Sequence, residues 1–210
     1  AGGLVSMRTM PDGSQSPYEL NTTFYAALER TFKGADQYHR ERFICSQTIV
    51  MSLEGIPAFY IHSLLATPND HEAVEHRGMN RAINRHRWDY PALRALLDDP
   101  ASPQSQVLGA LTDRLKLRGR QTAFHPNATQ FTVNMGDDRI FGVWRQSLDR
   151  HQSIFALHNI SDETVTISSE ALNLIEDVAW HDLLSGEAVD PLAPQITLAP
   201  YQCRWISNRT

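Results

Sequence analysis

Gly55-Ile56-Pro57-Ala58-Phe59-Tyr60-Ile61 is the stretch on which the fold turns. It is short, almost continuously apolar and rich in β-branched and aromatic residues, which reads as a buried strand rather than a helix. Pro57 is tolerated near the start of a strand, where a missing N–H disturbs the ladder least. Unbroken apolarity, as opposed to alternation, is the pattern of a parallel strand covered on both faces. Just upstream, residues 36–53 have helical spacing: Phe43, Ile44, Thr48 and Met51 recur near i+4 and i+7, behind Arg40, Glu41 and Arg42. Glu54-Gly55 ends that helix, with glycine as its C-cap. Helix, glycine and buried strand in that order form the closing αβ step of an α/β domain.

Working outward, residues 62–90 form a long polar segment rich in His and Arg. Such segments in compact domains carry function or short helices. Beyond Pro91, helices are expected at 92–98 and about 103–120. On the other side, residues 8–18 are rich in Pro, Gly and Ser and read as a loop, and 19–33 as a short helix. Character changes near residue 122. The runs 129–135, 139–147, 153–159, 163–168, 195–198 and 201–206 are β-branched and aromatic, with Asp137-Asp138 and Ser161-Asp162-Glu163 as turns. That spacing predicts an antiparallel sheet or small sandwich over 123–210, after an α/β portion over 1–122.

The composition fits an ordinary globular protein, with 41% hydrophobic and 20% charged residues. A formal charge of −5 gives no reason to expect nucleic acid or an anionic membrane as partner. No run of about 18 apolar residues predicts a membrane span. Cys45 and Cys203 make no disulfide framework, so a reducing cytoplasm is the default location. The chain opens on Ala-Gly-Gly without a Met, which suggests a piece of a longer polypeptide.

Two segments carry candidate chemistry. Gly78-Met79-Asn80-Arg81-Ala82-Ile83-Asn84-Arg85-His86 combines Arg forks with Asn amides, a donor and acceptor set suited to hydroxyls, carboxylates and phosphates. The plain alternative is a solvated basic loop paired with Glu72 and Glu75. Its place just after a parallel strand favours function, since such sheets bind ligands at the C-terminal ends of their strands. Ser16-Pro17-Tyr18-Glu19-Leu20-Asn21 is either a capped helix N-terminus or a loop that offers Tyr18 and Glu19 to a substrate. His71 and His76 flank Glu72 and Glu75, but no metal-ligand spacing appears, and no metal or other cofactor is expected. Cys45 and Cys203 fall in an apolar helix and a strand, as packing residues rather than nucleophiles.

Taken in order, Pro17-Tyr18-Glu19-Leu20-Asn21-Thr22-Thr23-Phe24-Tyr25, Gly55-Ile56-Pro57-Ala58-Phe59-Tyr60, Asn69-Asp70 and Arg81-Ala82-Ile83-Asn84-Arg85-His86 resemble the sucrose phosphorylase-like enzymes of glycoside hydrolase family 13, in the α-amylase superfamily. The resemblance implies the last part of a (β/α)8 TIM barrel over 1–122, with 56–61 as its eighth strand. A small antiparallel β-sandwich over 123–210 would follow. It also implies a retaining double displacement at an α-glucoside, with phosphate taking the glucosyl group as glucose 1-phosphate. The carboxylates that this chemistry needs lie upstream in the family, so no catalytic residue is expected here, and Asp70, Glu72 and Asp89 match no catalytic position. Arg81 matches the Arg that binds a glucosyl hydroxyl. Tyr18 and Glu19 fall on a loop of the acceptor and phosphate site, and Asn69 and Asp70 belong to the matching substrate-binding set. Glu19 and Ser16 depart from sucrose phosphorylase itself, which leaves the leaving group open among fructose, fructose 6-phosphate, glycerate and glycerol. Two rival readings are an amylase-like α-glucosidase and a non-catalytic sugar-binding module. A partial barrel leaves strand edges unpaired, so the partners expected, besides an α-glucoside and inorganic phosphate, are the upstream polypeptide or a second copy.

Overall fold

A computed structural model describes residues 1–210, which divide into two units: 1–40 with 59–110, and 41–58 with 111–210. The first unit opens with an antiparallel hairpin, β1 (Leu4–Thr9) and β2 (Gln15–Asn21), in register from Leu4↔Asn21 to Thr9↔Gln15 with a bulge at Ser6/Met7. Its turn is Pro11-Asp12-Gly13. Gly13 sits at φ 82°, where only glycine is unstrained, and the Asp12 carboxylate accepts from the Ser14 N–H at 2.9 Å. The expected loop at 8–18 and helix at 19–33 are therefore corrected. The backbone is satisfied by a two-strand ladder, and only α1 (Phe24–Ala27) is helical there, capped by Thr23. A two-residue hairpin, β3 (Arg30–Thr31) and β4 (Gly34–Ala35), follows.

The helix expected at 36–53 forms as α2 (His39–Ser52). Phe43, Cys45, Thr48, Met51 and Ser52 are buried along it. Thr48 and Ser52 tolerate burial because each hydroxyl donates to a carbonyl four residues back, Ile44 O at 2.7 Å and Thr48 O at 2.8 Å. The strand expected at 56–61 does not form. Residues 56–60 join no helix or ladder, Ile61 opens the next helix, and Ile56, Tyr60 and Ile61 are 83%, 55% and 52% exposed. A parallel strand exists only between parallel neighbours, and every ladder in this chain is antiparallel. After it come α3 (Ile61–Leu64), α4 (His71–Arg77) and a 3-10 helix Asn80–Asn84, which fill the long polar segment. The two predicted helices follow as α5 (Tyr90–Asp98) and α6 (Pro103–Arg118).

The second unit is built on a six-stranded antiparallel sheet. Its members are β5 (Thr129–Val133), β6 (Ile140–Gln146), β7 (Ser153–Asn159), β9 (Trp180–Asp182), β10 (Ala188–Val189) and β12 (Cys203–Ser207), in the order β10-β9-β12-β7-β6-β5. The ribbon of β8 (Val165–Ser168) and β11 (Gln195–Leu198) packs Val165, Ile167, Ile196 and Leu198 into one core with Ile140, Leu157 and Ile206. The opposite face carries Val143, Arg145, Ile154, His158 and Trp205, all buried. The antiparallel β-domain read from the sequence is thus present. Strands β9 and β10 went unread, and no barrel is formed by these residues.

Candidate functional site

In the first unit, the 3-10 helix Asn80–Asn84 buries Ala82 and Ile83 completely, which leaves Arg81 exposed beside them. Asn80 Nδ2 donates to Ser6 Oγ at 3.1 Å, and Asn21 Nδ2 donates to the same oxygen at 2.9 Å. These contacts tie the 3-10 helix to the β1–β2 hairpin. Arg81 Nε then reaches both carboxylate oxygens of Glu19, at 3.1 and 3.0 Å. The Glu19 hydrogen bond and charge, with a smaller contribution from Tyr18, raise the guanidinium above its ordinary pKa. Tyr18 is 60% exposed. Tyr18, Glu19 and Arg81 thus meet on one surface, and Glu19 caps no helix, since it sits in β2 opposite Ser6.

Asn69 and Asp70 are held differently. Asn69 Oδ1 accepts from the Thr23 N–H at 2.8 Å and the Thr22 hydroxyl at 3.1 Å, and its amide donates to Ala1 O at 3.0 Å. It fixes the chain between β2 and α1. Asp70 is the N-cap of α4, accepting from the Ala73 N–H at 2.8 Å, and its other oxygen meets His86 Nδ1 at 2.6 Å. Burial raises the Asp70 carboxyl, but the Ala73 and His86 hydrogen bonds and the charges of His86 and Arg77 together hold it below its ordinary range. His86 stands edge-on to Trp88, whose indole donates to Thr67 Oγ1 at 3.1 Å. The Asp70–His86–Trp88 set was missed in the sequence, although His86 stands inside the Arg81 motif. Both carboxylates here are committed, one to a cation and one to a helix N-terminus and an imidazole. The Arg81 guanidinium has donors of the kind that suit hydroxyls or anions, and the arrangement supplies no free acid–base pair.

No family model matches the chain. It is 34% identical over 205 residues to a glucosylglycerate phosphorylase of Escherichia coli, an alignment covering 98% of this chain and 35% of that protein. A sucrose phosphorylase of Bifidobacterium adolescentis is 29% identical over 128 residues, covering 61% of this chain and 22% of that protein. The chain is a homologue of the glucosylglycerate and sucrose phosphorylases of glycoside hydrolase family 13. It spans about a third of the length of the curated phosphorylases that it matches. Among solved structures, AmyP in complex with maltose superposes with a TM-score of 0.69 at 14% identity, over 90% of this chain and 39% of that one. That likeness is one of fold. No helix of this chain is long and apolar enough to cross a membrane.

Proposed function

We propose that this chain is the C-terminal segment of a retaining α-glucoside phosphorylase. In this reading residues 1–122 close a (β/α)8 barrel and 123–210 form its β-domain. The enzyme moves a glucosyl group from glucosylglycerate to inorganic phosphate. What carries the reading is the alignment with a glucosylglycerate phosphorylase over 98% of the chain, against 61% for a sucrose phosphorylase. The convergence of Tyr18, Glu19 and Arg81 supports it, because the Glu19 carboxylate engages Nε and holds a guanidinium fork beside Tyr18, a donor geometry suited to a sugar hydroxyl.

The roles follow the chemistry. An upstream Asp attacks the anomeric carbon while an upstream Glu protonates the departing oxygen, which leaves as glycerate. Phosphate then displaces the enzyme carboxylate and forms glucose 1-phosphate with retained configuration. Arg81 orients the glucosyl ring, Tyr18 and Glu19 shape the acceptor and phosphate pocket, and Asn69 and Asp70 hold that pocket together. The chain by itself is inactive in this reading, because both catalytic carboxylates belong to the upstream part. Its two buried free thiols, Cys45 and Cys203, are compatible with a cytoplasmic setting.

The test is glucose 1-phosphate formation by the complete polypeptide, offered glucosylglycerate, sucrose, sucrose 6-phosphate or glucosylglycerol with inorganic phosphate. Product from glucosylglycerate above the other three supports the reading. Product from another substrate reassigns the leaving group, and free glucose regardless of phosphate makes the enzyme a hydrolase.

A further inference from the structure

The second unit contains a cavity of about 340 Å³ on the ribbon side of the sheet, where the β8–β11 ribbon leaves strands β5 and β6 uncovered. Phe131, Trp144 and Phe155 are direct cross-strand neighbours on β5, β6 and β7, and their rings stack in a row with centroids 5.2 and 6.0 Å apart. Trp180 continues that row at 5.8 Å from Phe155. Trp144, Phe155 and Trp180 form an aromatic wall of the cavity. Beside them, Gln146 and Ser153 are paired across β6 and β7, and Asn173 closes the rim in the left-handed conformation at φ 45°.

The polar groups there are the informative part. The side chains of Gln146, Ser153 and Asn173 make no hydrogen bond within the protein, and the buried indole N–H of Trp144 has no partner either. No charged residue lines the cavity, and the remaining lining residues are aliphatic. An anion is therefore disfavoured, because it would lose hydration with no cation to replace it. A purely apolar ligand would strip water from Gln146, Ser153 and Asn173 and leave them unmet. The volume lies at the lower end of ligand pockets, roughly 300–1,000 Å³.

We propose that this cavity binds a single neutral saccharide ring. The apolar C–H face of a pyranose packs on the aromatic wall, and its hydroxyls meet Gln146, Ser153 and Asn173. The site uses none of Tyr18, Glu19 or Arg81, and the inference does not rest on the phosphorylase reading.

Saturation-transfer NMR on the full chain, with methyl α-D-glucopyranoside, glucose 1-phosphate and cyclohexanol as probes, tests it. Methyl glucoside should bind saturably, with transfer strongest at its C–H face, and the other two should bind more weakly. Ser153→Ala removes a hydroxyl that lines the cavity and keeps the strand backbone. Gln146→Ala changes a partly exposed side chain and keeps the test alive if the first variant folds poorly. Each should weaken methyl glucoside by about fivefold, the effect of one hydrogen bond, while Lys116→Ala on the exposed face of α6 should leave it unchanged. No saturable binding up to about 100 mM, a limit near −1.4 kcal/mol, would overturn the proposal. So would equal binding of cyclohexanol or glucose 1-phosphate, or no sensitivity to Gln146→Ala.

Discussion

At the scale of single residues, the pairing of Arg81 with Glu19 decides what the candidate site can hold. In the complete enzyme Arg81→Ala should lower phosphorolysis by about tenfold or more, the worth of a charge-assisted hydrogen bond. The melting midpoint should stay put, because the side chain is exposed. Steady-state kinetics beside a thermal melt checks both halves, and unchanged turnover would remove Arg81 from the site. A second residue-scale effect lies in the β-unit. His158 is fully buried, with Nδ1 3.1 Å from Phe141 O and Nε2 3.0 Å from Ser52 Oγ. The Phe141 carbonyl can only accept, so the neutral ring carries its proton on Nδ1. Burial pushes this imidazole down from 6.5 to about 4, although the Phe141 carbonyl favours the charged form. Between those values the unfolded chain binds the extra proton, so stability falls as pH drops from about 6.5 toward 4. The full loss is roughly 3 kcal/mol. Urea titrations at both ends of that window should show the loss, and His158→Gln should flatten it. Tyr18, Glu19 and Arg81 were legible from residue type and motif. The Asp70–His86 pair was not, because a contact sixteen residues apart is set by how the 3-10 helix folds back on α4.

At the scale of elements, the C-terminus of α2 shows how one part of the chain completes another. The last turn of α2 has no basic residue of its own. Arg118 from α6 donates to Met51 O at 2.8 Å and Gly55 O at 3.1 Å, and the fully buried Arg145 from β6 donates to Ser52 O at 3.1 Å. Arg145 also reaches His125 O at 3.0 Å and Ala128 O at 3.3 Å. Two guanidinium groups thus satisfy the open carbonyls and oppose the helix dipole. Arg145→Ala should cost roughly 3 kcal/mol of unfolding free energy by leaving several buried carbonyls unpaired, and chemical denaturation measures it. Gly142 is a second such point. A Cβ there would lie 2.9 Å from Val133 O on the neighbouring strand, so Gly142→Ala should cost about 1–3 kcal/mol through strand displacement. The long strands were readable as β-branched and aromatic runs. Strands β9 and β10 are three and two residues long, too short for any periodicity to show. The β1–β2 hairpin was readable in principle from Pro11-Asp12-Gly13, but proline, glycine and serine around it gave the segment the composition of a loop.

At the scale of the whole molecule, the segment 56–61 is where local sequence and fold disagree. Its apolar side chains are exposed because no parallel partner exists within these residues. Exposed apolar chain with open backbone groups favours association. The chain in isolation should therefore sediment as larger species as its concentration rises, and Ile56→Lys should reduce that by placing a charge on the exposed edge. Sedimentation velocity over a concentration series distinguishes this from a chain that stays monomeric throughout, which would mean the segment needs no cover.

The sequence by itself determined the helices α2, α5 and α6, the long strands of the β-unit and the motifs shared with the phosphorylases, because these depend on periodicity and residue type within short windows. Tertiary structure alone decided which motif residues meet, which carboxylates are committed, how α2 is capped from two distant elements, and that a run with every local mark of a buried strand stays unpaired. Each of these depends on partners far away in the chain, and hydrogen-bond satisfaction and burial are properties of the pair rather than of either residue.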